Sequence, residues 1–171
     1  MKHGPYALVD IDGVLADVRH RVHFVERRPK DWDGFFAAAV DDPPLPEGLA
    51  VVAELVDRGL SLVYLTGRPE RCREDTLAWF ARHGLPSAPL LMRSNRDRRP
   101  ARLTKLEVAR RLQTERGVAL VVDDDRAVVA TLREAGFEVL HATWMDGGTD
   151  GVDAATVQET LFAAQEDDGR T

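Results

Sequence analysis

The sequence predicts a doubly wound, Rossmann-like α/β domain built on a mostly parallel five-stranded sheet, with a small helical insert after the first strand. Three observations lead there. Five short runs rich in Val and Leu are apolar almost throughout instead of alternating, as parallel strands covered on both faces require. Segments with helix start and stop signals lie between them. From Gly48 onward the two kinds of segment alternate, which calls for right-handed crossovers.

The elements follow in order. Residues 6–10 form the first strand, and 17–42 read as helical with no strand among them. Pro43-Pro44-Leu45-Pro46 closes that stretch as a stiff connector, so residues 17–46 make a small cap over the strand ends. A helix over 47–58 carries Leu49, Val52, Leu55 and Val56 on one stripe and stops at Gly59. A strand at 60–66 leads into a helix at 69–83 that opens with Pro69 and ends at Gly84. Strands at 89–92, 118–122 and 137–143 are separated by helices at 103–116 and 126–135, which stop at Gly117 and Gly136. A last helix is expected over 153–165. Residues 1–165 then form one domain and 166–171 a flexible acidic tail.

Composition narrows the function classes. A chain of 171 residues, 44% hydrophobic and 30% charged, suits one domain with a sizeable core. The longest apolar runs have strand length, far short of a membrane span, so no membrane association is expected. The start of the chain leaves no room for a signal peptide's apolar stretch, and a cytoplasmic location is the expectation. Cys72 is the only cysteine, so there is no internal disulfide and no thiolate metal cluster; it reads as a small half-buried helix residue. A net charge of −6 argues against coating nucleic acid non-specifically. Yet Arg93, Arg96, Arg98, Arg99, Arg102, Lys105, Arg110 and Arg111 face only Asp97 and Glu107 in their stretch, which fits local capture of an anion.

In doubly wound sheets, ligands bind beyond the carboxyl ends of the strands, and the polar clusters sit there. The first strand runs into Asp10-Ile11-Asp12-Gly13; two carboxylates this close repel, and a site that holds them supplies a cation. Asp-Gly is also a common turn. Thr66-Gly67-Arg68 follows the second strand, where a hydroxyl, a glycine and a helix N-terminus would cradle a phosphate; the plain alternative is a capped turn. The fourth strand ends in Asp123-Asp124-Asp125, three successive carboxylates where capping needs only one. Lys105, early in its helix, would be an ordinary surface lysine were the other clusters not all pointing at a phosphate.

Asp10-x-Asp12-Gly13, Thr66-Gly67-Arg68, Lys105 and Asp123-Asp124 resemble, in order and spacing, the four motifs of the haloacid dehalogenase superfamily of phosphatases. The resemblance spans residues 6–142. It implies Asp10 as nucleophile, Asp12 as general acid and base, and Thr66 and Lys105 on the phosphoryl group. It also implies Mg²⁺ held by Asp10, the backbone carbonyl of Asp12 and Asp124, with Asp123 beside them. Within the superfamily, Asp31-Trp32-Asp33-Gly34-Phe35-Phe36, Thr66-Gly67-Arg68 and the stretch from Met92-Arg93 to Lys105 are most similar to the 3′-phosphatase domain of phage-type polynucleotide kinase-phosphatase. That implies two phosphate-binding arginines: Arg68, and in the insert either Arg19 or Arg21. The sequence departs from the family at Ala101, where an acidic residue is usual four places before the lysine.

The expected substrate is therefore a phosphorylated nucleic-acid 3′ end or a nucleotide, with Gly67, Arg98 and Arg99 as further binding residues. A phosphatase of a small metabolite, such as a 5′-nucleotide or sugar phosphate, is the rival reading. A non-catalytic module that binds phosphorylated ends is a third. Trp32, Phe35 and Phe36 either stack on a base or anchor the insert.

Overall fold

The structure is a computed structural model. It describes residues 4–146 and, beyond these, Leu161, Ala163, Ala164 and Glu166, all four helical. The rest of the helix expected over 153–165, and of the tail after it, lies outside the described residues.

Five strands, β1 (Tyr6–Val9), β2 (Ser61–Pro69), β3 (Leu90–Arg93), β4 (Val118–Asp123) and β5 (Val139–His141), pair in parallel in the order β3-β2-β1-β4-β5. The chain steps outward from β1 to β2 and β3, then crosses back to β4 on the other side of β1. The reversal between β1 and β4 is the switch point at which such sheets bind ligands.

Alternating strand residues build two cores. Ala7, Val9, Tyr64 and Val122 face α3 (Pro46–Asp57) and α4 (Arg73–Arg82), where Leu55, Trp79 and Phe80 meet them. Leu8, Val63, Leu65 and Val121 face α5 (Ala101–Glu115) and α6 (Arg126–Glu134), against Ala109, Leu112, Val128 and Leu132. Burial on both faces is why the strand sequences are apolar throughout. Gly48 is needed for close approach: a Cβ there would lie 1.9 Å from the Val14 carbonyl oxygen, so α3 could not seat on the loop after β1. Among the described residues, no helix is long and apolar enough to cross a membrane.

The insert holds α1 (His23–Glu26), α2 (Trp32–Ala37) and two 3₁₀ turns, Arg19–Arg21 and Ala38–Asp41. It has its own core, in which Trp32, Phe35 and Phe36 stack edge and face against one another, with Phe35 fully buried. These rings hold the insert together and present no free face to a base.

One local expectation is corrected. The helix expected from residue 69 starts at Arg73, because β2 runs on to Pro69 and a 3₁₀ turn, Glu70–Cys72, intervenes. Cys72 lies in that turn, buried, and burial pushes its thiol pKa up.

Candidate active site

The site begins where β1 ends. The Asp10 N–H still donates to the Val122 carbonyl, so Asp10 is held at the sheet rim. The chain then folds tightly, with the Ile11 carbonyl accepting from the N–H groups of Val14, Leu15 and Ala16. Gly13 takes φ +75°, and a Cβ there would stand 1.8 Å from Asp124 Oδ2. A residue without a side chain is therefore required for β1 and β4 to bring their carboxylates together.

The three aspartates at the end of β4 divide their work. Asp125 caps α6, accepting from the N–H groups of Ala127 and Val128. Asp123 accepts from Lys105 Nζ at 2.6 Å. Asp124 is turned toward the end of β1, and its carbonyl oxygen lies 3.0 Å from the His141 ring. Ligand atoms of Asp10, Asp123 and Asp124 all lie within 4.8 Å of one another, and all three residues are buried.

Lys105 is buried as well, with Nζ 2.8 Å from Asp10 Oδ2. Burial opposes its charge, but Asp10 and Asp123 outweigh that and raise its pKa, so it stays an ammonium. Burial pushes the Asp10 pKa up to about 7 against the pull of Lys105, with Asp123 adding to the rise. Three buried carboxylates this close make a group that could hold a metal ion.

Across the loop, Asp12 belongs to a second cluster. Its Oδ1 accepts from Arg21 at 2.6 Å and from Arg68 at 2.6 and 3.0 Å. Burial alone would raise the Asp12 pKa, yet the two guanidiniums bring it down to about 2. Its other oxygen, Oδ2, is buried without a hydrogen-bond partner. Both arginines also bind Asp42: Arg21 through two contacts of 2.8 Å and Arg68 through one of 2.9 Å. Arg21 Cζ lies over the Phe35 ring, 4.2 Å from its centroid, and the residue is fully buried; Arg68 is nearly so.

Residues 5–146 match the family described as the polynucleotide kinase PNKP phosphatase domain. The chain belongs to that family. The PNKP phosphatase domain is a branch of the haloacid dehalogenase superfamily, and the solved structures agree in fold. A chain of the Pnkp1/Rnl/Hen1 RNA repair complex superposes with a TM-score of 0.69 at 23% identity, over 82% of this chain and 43% of that one. The class C acid phosphatase from Bacillus anthracis with tungstate bound gives 0.59 at 17% identity, over 95% and 80%. Among curated proteins, membrane-associated phosphatidylinositol transfer protein 2 from Mus musculus is 39% identical over 59 residues, which is 32% of this chain and 4% of that protein. This chain thus spans less than half the length of the first relatives it matches.

Seen as a PNKP phosphatase domain, the chain brings Asp10, Asp12, Thr66, Arg68, Lys105, Asp123 and Asp124 to one rim of the sheet. Thr66 is buried, and its Oγ1 accepts from the Arg68 N–H at 3.1 Å. Thr66-Gly67-Arg68, expected from sequence to lead into a helix N-terminus, does not do so. It continues β2, and the strand extension is what carries Arg68 to Asp12. Of the two insert arginines, Arg21 is in the site; Arg19 stands at the rim, half exposed, on Asp17. Arg98 is exposed, and Arg99 is committed to Asp97 and Glu107. The carboxylate of Asp12 faces the arginines instead of joining the three acids.

Asp42 is the site residue that the sequence reading missed. Asp41-Asp42-Pro43 reads as an ordinary helix terminus, and nothing local distinguishes the exposed Asp41 from the buried Asp42.

Proposed function

We propose that this chain is a Mg²⁺-dependent phosphomonoesterase that works through an aspartyl-phosphate on Asp10, on 3′-phosphate ends of nucleic acid or on nucleotides. One observation carries the reading. The loop after β1 stands between three buried carboxylates whose oxygens lie within 4.8 Å of one another and a pair of buried guanidiniums suited to phosphoryl oxygens.

The acidic cluster suits a hard cation with oxygen ligands, offered by Asp10, Asp123 and Asp124, with the Asp12 carbonyl implied by the family likeness. Mg²⁺ there would offset charge on the phosphoryl oxygens and on Asp10. Arg21 and Arg68 orient the phosphoryl group, and Lys105 adds charge beside Asp10. An Asp10 carboxylate oxygen attacks phosphorus; the bond to the leaving oxygen breaks, and Asp12 delivers that oxygen its proton. Water then attacks the same phosphorus, Asp12 takes a proton from it, and the phosphate leaves Asp10. Asp12 is ionised on its two arginines, so the acid role requires that these turn to the phosphoryl oxygens first. Removing them lifts the interaction that depresses its pKa.

The family match and the likeness to a chain of an RNA repair complex support a polynucleotide end. The basic loop lies beside the strand ends, where the Asn95 side chain accepts from the Arg71 N–H. The neutralisation of Arg99 by Asp97 and Glu107 favours the second reading, a small nucleotide or other small phosphate.

The test compares hydrolysis of an aryl phosphate, a 3′-nucleotide and a 3′-phosphorylated oligonucleotide, with and without Mg²⁺, for the parent chain and Asp10→Asn. Higher kcat/KM for the oligonucleotide is expected. Equal values for oligonucleotide and mononucleotide would remove the strand-end reading, and turnover by Asp10→Asn would remove the mechanism.

A further inference from the structure

We propose that His141 is a positioning residue that holds the peptide after Asp124 and so aims the Asp124 carboxylate at the cation site. The proposal rests on the Mg²⁺ part of the reading above, since it names what sets the third carboxylate of that site.

β5 is an edge strand in parallel register with β4, and His141 stands opposite Asp123. Val139 faces α6, and alternation along the strand puts the His141 side chain on the same side of the sheet. There its Nε2 lies 3.0 Å from the Asp124 carbonyl oxygen. A carbonyl can only accept, so Nε2 carries the hydrogen and donates it. On the same peptide, the Asp125 N–H donates to Asp123 Oδ1 at 3.1 Å. Both poles of the peptide between Asp124 and Asp125 are thus held, one from the neighbouring strand and one by the carboxylate that Lys105 grips. The residues on either side are pinned as well. Asp125 caps α6, and the Asp123 carbonyl accepts from the Ala142 N–H at 2.9 Å. The orientation of that one peptide therefore sets where the Asp124 side chain leaves the backbone.

The tolerance is small. Asp124 Oδ2 lies so close to Gly13 that a Cβ there would stand 1.8 Å away, and ligand atoms of Asp10, Asp123 and Asp124 lie within 4.8 Å of one another. Buried acids at this spacing repel. Lys105 holds Asp10 and Asp123 directly through their carboxylates, whereas His141 holds Asp124 through its backbone. Without the His141 bond the peptide can turn, and the Asp124 carboxylate can swing away from the other two. That relieves the repulsion and takes one oxygen ligand from the cation. His141 thus supports a ligand residue from behind, as outer partners do at metal sites generally.

The experiment uses the full chain and Mg²⁺ alone as probe. Calorimetry measures Mg²⁺ affinity, and aryl phosphate hydrolysis at saturating Mg²⁺ gives KM. His141→Leu removes the donor and is expected to weaken Mg²⁺ binding by about 10- to 100-fold, while KM stays within about twofold. His141→Gln places an amide N–H near the position of Nε2 and is expected to bring the affinity back to within about threefold of the parent chain. His141→Asn is too short to reach the carbonyl and is expected to match His141→Leu. Parent-like Mg²⁺ affinity in His141→Leu, or equal losses in the Leu and Gln variants, would overturn the proposal. So would a KM that rises in step with the loss of Mg²⁺ affinity, because that is what a general loosening of the rim would give. Should His141→Leu not fold, the Gln and Asn variants decide, and equal affinities for the two overturn the proposal. A parent chain that binds Mg²⁺ but hydrolyses nothing overturns the phosphatase reading only, and the affinities still decide on His141. A parent chain that binds no Mg²⁺ overturns both.

Discussion

Lys105 Nζ lies 2.8 Å from Asp10 Oδ2, both side chains buried, although one sits on a helix and the other 95 positions earlier at a strand end. The lysine also holds Asp123, so one ammonium joins the two carboxylates that flank the switch point. Lys105→Met therefore strands two buried acids. It is expected to lower unfolding free energy by about 3–5 kcal/mol at pH 7, with part of the loss restored by Mg²⁺, as measured by denaturant titration with and without the ion.

Asp10 gives the pH dependence. Its pKa in the folded chain is raised to about 7, mainly by burial, so between the ordinary carboxylate range and pH 7 the folded chain holds a proton that the unfolded chain has lost. Stability from this group is complete below that ordinary range and is lost as pH rises through about 7. On the proposed reading a divalent cation would take the place of the proton, so Mg²⁺ is expected to raise the melting temperature more at pH 8 than at pH 5. An equal rise at both pH values would count against a cation among these acids.

Gly13→Ala places a Cβ 1.8 Å from Asp124 Oδ2, on a backbone at φ +75° that only glycine adopts freely. Asp124 must move. Stability is expected to fall by about 1–3 kcal/mol, and the Mg²⁺ concentration for half-maximal rate to rise at least about tenfold. A purely structural role for Gly13 would lower the melting temperature and leave that concentration where it was.

Asp12→Asn keeps the shape of the loop and the hydrogen bonds to Arg21 and Arg68 in part, but cannot cycle a proton. A fall of about 10²- to 10⁴-fold in kcat is expected with Mg²⁺ dependence retained. Single-turnover assays on a substrate with a good leaving group are expected to show the smaller defect, since such an oxygen needs no proton.

Arg98 is exposed on the basic loop, whereas Arg99 spends its charge on Asp97 and Glu107. Arg98→Glu is expected to raise KM for a 3′-phosphorylated oligonucleotide and flatten its salt dependence, without touching aryl phosphate hydrolysis. Equal effects on both substrates would place Arg98 outside any strand path.

The order of elements, the parallel sheet and the strand-end positions of Asp10 and Asp123-Asp124 were all readable from the chain, because apolar runs, glycine stops and the residues just after a strand are local properties. The length of β2 was not: its extra residues pair with β3 at Arg93, and a pairing partner is invisible to periodicity. Lys105 looked like a surface lysine on its own helix, and only the crossover of α5 beneath β1 and β4 buried it. The choice of Arg21 over Arg19 turned on which side of one 3₁₀ turn met Asp12, and Asp42 became distinct from Asp41 only when the insert folded back on Trp79. Local chemistry named the groups that could act. Charge compensation in a buried space, which depends on distance and not on sequence separation, decided which of them work together.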